Sequence, residues 1–203
     1  MSHNYWAEFK QIGEDIFRFD TRIYLEPIDA IENNDRCIGA VVGKNPGSAQ
    51  SSSIGNGIQR ILLGKDKLLP NVLSIVKKSY EMAKETPPVR GYIQVLNLFY
   101  LCDPDLEQAI LKFKQCKSPE YCPTEKRHFP WVWYVWGGSN IELNPYKRRL
   151  DALDTTSHFF YDNKEMGITL TKPPEKVLAR HTQGLAHDFV VPDISTKLIK
   201  KLI

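Results

Sequence analysis

Three short apolar runs constrain the fold of this chain more than anything else in it. They are CIGAVVG at 37–43, GYIQVLNLFYL at 91–101 and WVWYVWG at 131–137. Each is rich in β-branched or aromatic residues and bounded by turn formers, so each is expected to be a strand buried on both faces. Helical patterns separate them. NVLSIVKKSYEMAKE (71–85) repeats its apolar residues at helical spacing, and Pro87-Pro88 prevent its continuation. Asp103-Pro104 is expected to open a second helix through DLEQAILKFK, with proline in the first turn. Asn144-Pro145 is expected to open a third, reaching as far as Phe160. MGITLT (166–171) reads as a fourth, weaker strand, and SPEYCPTEKRHFP (118–130) as a loop. Strands alternating with helices predict an α/β fold, three-layer α/β/α, with a central, mostly parallel four-stranded sheet.

The 203 residues are enough for one sizeable core, and no repeat or linker divides them. A single domain is expected: an N-terminal accessory segment (1–36), a core (37–190) and a basic C-terminal helix (191–203). DIFRFDTRIYL (15–25) alternates as an accessory edge strand would. No apolar run approaches the length of a membrane span, and MSHNYWAEF lacks a signal-peptide core, so a cytoplasmic, monomeric protein is expected. The net charge of +3 is unevenly spread: residues 1–35 hold eight acidic and three basic side chains, the remainder 16 acidic and 24 basic. Basic clusters at 124–128, 146–149 and 196–203 suit a polyanionic partner, or else form solvated helix faces. The four cysteines show no C-x-x-C spacing. Structural thiols in a reducing compartment are expected, with a zinc site from Cys102, Cys116, Cys122 and His128 as the alternative.

GAVVGKNPGSAQ (39–50) has the look of a phosphate-binding loop, but only three residues separate Gly39 from Gly43, and Asn45 stands where magnesium chemistry needs serine or threonine. What remains is a buried strand that delivers a polar side chain, Asn45, to the rim of a sheet. The event recurs. Asn97 lies near the carboxyl end of the second run, Trp136-Gly137-Gly138-Ser139 ends the third, and RHTQGLAHDF (180–189), with His181 and His187, follows the fourth. Polar groups at the carboxyl ends of parallel strands converge on one cleft.

This ordered set resembles the uracil-DNA glycosylase superfamily over residues 37–190. Gly43-Lys44-Asn45-Pro46-Gly47 is similar to the Gly-x-Asn-Pro-Gly motif of its mismatch-specific branch, Val95-Leu96-Asn97 to its Leu-Leu-Leu-Asn strand, and Val135-Trp136-Gly137 to its Leu-Trp-Gly strand. Ala186-His187-Asp188-Phe189 resembles the closing histidine loop, with His181 as a competing candidate because Pro-Ser does not follow His187. Asn45-Pro46-Gly47-Ser48-Ala49 and Asn97-Leu98-Phe99 also resemble an uncharacterised bacterial family with Asn-Pro-Ser-x-Ala and Asn-Leu-Phe motifs.

The resemblance implies a monofunctional DNA glycosylase without metal or cofactor. Asn45 would orient water, and His181 or His187 would stabilise the departing base. Gly43, Lys44, Pro46, Gly47, Ser48, Asn97 and Phe99 would shape the base pocket, with Phe99 or Tyr100 as stacking partner. Lys44, Arg148, Arg149 and Arg180 would meet DNA phosphates. The uracil-specific branch has tyrosine where this chain has Gly47, so the pocket is expected to admit pyrimidines with a bulky C5 substituent, such as occur in some bacteriophage DNA. A defence role follows as an expectation, with repair of mismatched or damaged bases as its plainer form. A non-catalytic nucleic-acid-binding module and a small-molecule nucleoside hydrolase are the other classes compatible with such a cleft.

Overall fold

The computed structural model describes residues 3–47, 54–55, 57–116, 120–138 and 141–200. Among them the strands are β1 (His3–Ile12), β2 (Asp15–Ile28), β3 (Arg36–Gly43), β4 (Ile58–Arg60), β5 (Gly91–Asn97), β6 (Val132–Tyr134), β7 (His158–Asp162) and β8 (Gly167–Thr169). The α-helices are α1 (Leu68–Ala83), α2 (Leu106–Gln115), α3 (Asn144–Arg149) and α4 (His187–Ile194). All strands join one mixed eight-stranded sheet in the order β4-β1-β2-β5-β3-β6-β7-β8. Four of its seven pairings are antiparallel: β1/β4, β1/β2, β2/β5 and β7/β8. The three parallel ones, β3/β5, β3/β6 and β6/β7, lie together in the middle.

The sheet is therefore twice as wide as the four strands expected, and mixed rather than mostly parallel. Two local causes account for the difference. First, His3–Ile12 and Asp15–Ile28 form a hairpin in which Ile12 faces Asp15, closed by Gly13 at φ +64° and Glu14. β2 then pairs with β5, so the N-terminal segment extends the sheet. Second, α3 stops at Arg149, and the aromatic run HFFYD forms β7, the strand parallel to β6. The expected fourth strand near 166–171 is the short edge strand β8, antiparallel to β7. A helix through Phe160 was incompatible with two aromatic rings that alternate between the faces of the sheet: Phe159 packs on one side and Phe160 on the other.

That alternation organises both cores. Val41, Val95, Trp133 and Phe159 face α1 and α4. Ala40, Val42, Leu96, Tyr134 and Phe160 face α2 and the stretch that follows it. The mixed α/β layers thus come from the period-two pattern of the central strands. The helix starts use short polar side chains. Asp66 Oδ1 accepts from the N–H groups of Leu68 and Leu69 ahead of α1, and Asp105, rather than proline, caps α2 by accepting from Glu107 and Gln108 N–H. α1 ends at Lys84, whose left-handed φ of 60° stops the helix before the two prolines. α4 begins at His187 and continues through a wider turn at Ser195–Ile199, its apolar side set against α1. Part of the anticipated basic C-terminal helix is therefore core, and 201–203 lie outside the described residues.

Gly39 of β3 lies directly against the Trp131 ring. A Cβ there would lie 2.1 Å from the Trp131 ring. Gly39→Ala should therefore overpack the core and cost about 1–3 kcal/mol, seen in urea unfolding as a lower midpoint with an unchanged slope. An unchanged midpoint would mean that the ring can yield.

Candidate active-site cleft

A cleft of about 550 Å³ opens at the carboxyl edge of the central strands. Its walls are Lys44-Asn45-Pro46-Gly47 after β3, Lys65-Asp66-Lys67-Leu68 ahead of α1, Pro104 and Leu106 at the start of α2, Trp136-Gly137 after β6, and His181 and Gln183. Arg18 enters it from β2.

The parallel register sets Gly43 directly beside Asn97. A Cβ on Gly43 would stand 3.0 Å from Asn97 Oδ1 and 3.2 Å from the Leu68 side chain, so glycine leaves the room that the Asn97 amide occupies. Asn97 is buried, and neither its Nδ2 nor its Oδ1 has a hydrogen-bond partner among the described residues. A buried amide with unmet donors and acceptors is costly, and binding sites are where such costs are retained. The main chain around it is pinned: Leu98 N–H donates to Gly43 O, Phe99 N–H to Lys44 O, and Arg149 Nη2 to both Asn97 O and Leu98 O. Arg149 also pairs with Glu125 and lies over the Tyr121 ring, so it acts as a brace behind the site.

Asn45 is oriented by one hydrogen bond. Its Nδ2 donates to Asp103 O at 2.8 Å, which turns Oδ1 the opposite way on the planar amide. Pro46 is buried, and Gly47 has φ +66° with open space around its missing Cβ. The widened wall is thus also a turn that only glycine adopts without strain. Ser48, Ala49 and Ser139 lie outside the described residues.

His181 comes to the cleft through a strap. Gly137 N–H donates to Ala179 O at 2.6 Å, tying the end of the third run to the segment before the histidine. A Cβ on Gly137 would meet Lys44 Nζ at 3.7 Å and His181 Cβ at 3.8 Å, so these three residues form one wall. Gln183 N–H donates to His181 Nδ1 at 3.0 Å, so the neutral ring carries its proton on Nε2. Burial, then the Lys44 ammonium, hold His181 below the ordinary histidine range, against a weaker pull from Asp66. Burial likewise lowers Lys44. The site therefore presents a neutral imidazole donor beside a cation at neutral pH.

The other sequence candidates stand elsewhere. His187 opens α4 and its Nδ1 lies 3.1 Å from Lys78 Nζ, outside the cleft. Phe99 is fully buried against Phe113 and Tyr146, and the Tyr100 hydroxyl donates to Glu125; neither lines the cleft, where the aromatic wall is Trp136. Arg148 pairs with Glu175, and Arg180 donates to Asn163 and Gly184 O. Neither borders the cleft, whereas Lys44 stands in its wall next to Asn45. Cys122 Sγ accepts from Asp20 N–H, and His128 pairs with Asp154. Among the described residues no group of three or more His, Cys, Asp or Glu is placed to hold a metal ion.

Arg18 and Asp66 were missed in the sequence. Asp66 had a readable signal, an aspartate just before an apolar helical run. Arg18 had a weaker one, a charge between Phe17 and Phe19 in an alternating strand. Comparison of the chain with protein-family models, curated proteins and solved structures finds no match.

Removing the neighbouring cation should release His181. In Lys44→Met its pKa should rise towards the ordinary value while burial keeps it below, as followed by the ring carbon–proton signals in an NMR titration. An unchanged or lower value would separate Lys44 from the histidine.

Proposed function

We propose that this cleft hydrolyses the N-glycosidic bond of a pyrimidine flipped out of DNA, leaving an abasic site. The observation that carries the reading is the placement of Asn45, two residues beyond β3, and Asn97, at the end of the neighbouring parallel β5 beside Gly43, with the neutral His181 in the cleft that Asn45 lines. The parallel run β5-β3-β6-β7 between two helical layers supports a uracil-DNA-glycosylase-like fold, extended here by antiparallel strands on both margins.

Breaking this bond places positive charge on the sugar and negative charge on the base. Asn45 does not take a proton at neutral pH, and its task is to hold water by Oδ1 for attack on the sugar carbon. Asn97 offers one donor and one acceptor in a plane, which matches the Watson–Crick edge of an extruded base. His181 Nε2–H donates to the oxygen that gains charge as the base departs, and the Lys44 ammonium stabilises the same charge in a partly dry site. Water, not the Lys44 amine, is the nucleophile in this scheme, so no Schiff base forms. The open flank at Gly47 supports a substrate with a bulky C5 substituent, and such bases suit defence against modified phage DNA. The volume also suits repair of smaller lesions.

Asn45→Ala should lower single-turnover base release by about 100-fold or more, because the attacking water loses its position. Duplex binding should stay unchanged, and stability should fall by no more than about 1 kcal/mol, the loss of one hydrogen bond to Asp103 O. The assay is alkaline cleavage at abasic sites in DNAs carrying uracil, mismatches and C5-modified cytosines. Normal release by a folded Asn45→Ala protein would make Asn45 structural. Release from free nucleosides but not from DNA would favour a nucleoside hydrolase, and tight DNA binding without any release would favour a binding module.

The cleft geometry also shifts the expected phosphate contacts. Lys65 and Lys67 stand on its rim, whereas Arg148 is held by Glu175. Fluorescence anisotropy over a salt series should show binding that weakens steeply with salt. The combined Lys65→Ala and Lys67→Ala change should reduce the slope of log affinity against log salt by about 2, and Arg148→Ala by less. The reverse ranking would move the DNA path to the outer surface.

A further inference from the structure

Arg18 is a buried charged group with unmet donors among the described residues. It sits on β2, 1% exposed, with Nε and Nη1 lacking any hydrogen-bond acceptor among the described residues. Its one counter-ion is Asp66, whose Oδ2 lies 3.7 Å from Nη1, beyond hydrogen-bond reach. Asp66 Oδ1 is already committed to Leu68 and Leu69 N–H, so the carboxylate is fixed and cannot swing closer without uncapping α1. A buried guanidinium is tolerated when its N–H groups meet acceptors, and here those of Nε and Nη1 do not. The same cleft is lined by Lys44, Lys65 and Lys67, none of which forms an ion pair with a described residue.

We propose that Arg18 is a specificity-determining residue that binds an oxyanion of the substrate inside the cleft, with Asp66 holding the guanidinium in place. Four cations against one carboxylate favour an anionic group over a neutral hydroxyl, and a planar guanidinium grips paired terminal oxygens with two parallel hydrogen bonds. Two sources carry that chemistry: a phosphate beside the extruded nucleotide, or a carboxylate borne on the base itself. The inference deepens the glycosylase reading by naming an acidic substrate group. It is read by binding alone, so a failure of base release leaves it standing.

The test is calorimetric titration of the wild-type protein with 2′-deoxycytidine, its 5′-monophosphate and 5-carboxy-2′-deoxycytidine. One acidic ligand should bind about tenfold or more tightly than the parent nucleoside, and which one does so identifies the source. Arg18→Met should abolish that preference. Because the site is buried, Arg18→Lys serves as a second variant that keeps charge but loses the paired donors, and it should retain only a small part of the preference. In the ¹⁵N-labelled wild type the Arg18 Nε–H resonance should shift downfield with the acidic ligand alone. Equal affinities for all three ligands would overturn the proposal. So would an undiminished preference in either folded variant, which would assign it to the lysines, or an Arg18 resonance that does not move.

Discussion

The site depends on a missing methyl group. Parallel pairing of β3 with β5 brings Gly43 and Asn97 side by side, and the absent Cβ of Gly43 is the space in which the Asn97 amide lies. A larger residue at 43 would press on Asn97 and on Leu68 together, and through Leu68 on the start of α1 and the Asp66 cap. Strand register, helix position and amide orientation are therefore one constraint. Asn45 inherits its place from the same strand two residues later, and the hydrogen bond to Asp103 O links it to the segment that opens α2.

The electrostatics follow from that crowding. Lys44, Gly137 and His181 share one wall, so burial and a neighbouring cation act on the histidine together and keep it neutral. A neutral donor next to a fixed positive charge suits a reaction in which negative charge develops on a leaving group. Arg18 in the cleft lining and Asn97 buried beside Gly43, one layer behind it, are left with unmet hydrogen-bonding groups among the described residues. Unsatisfied polar groups in and behind a cleft are a cost to folding, and binding a polar, planar ligand would recover part of it.

Much of this could be read from the chain. The three apolar runs were visible because double-sided burial leaves no polar alternation, and the polar residue at each strand end stood out against them. Asn45 and Asn97 were legible for that reason, as was the choice between two histidines, though not its outcome. His181 is in the cleft because Gly137 hydrogen bonds to Ala179, a long-range contact without a local signature. β7 was hidden because Asn144-Pro145 started a helix whose early stop depends on packing rather than on a breaker residue. The N-terminal hairpin was half seen: β2 alternates clearly, whereas its pairing with β5 is a tertiary choice. Arg18 and Asp66 escaped for the same reason, since each is remarkable only for what lies opposite it. Arg148 and Arg149 drew attention by clustering and Arg180 by its place just before His181, but their partners occupy them within the protein.

The central claim is that Asn45, Asn97 and His181 act on one extruded base, and a crystal structure of the Asn45→Ala protein bound to duplex DNA with a C5-modified cytosine tests it most directly. The account predicts the modified base out of the helix, its Watson–Crick edge within hydrogen-bond distance of the Asn97 amide, its carbonyl oxygen facing His181 Nε2, and its C5 substituent on the open side at Gly47. A base that stays stacked in the duplex, or that is seated away from Asn97, would contradict it.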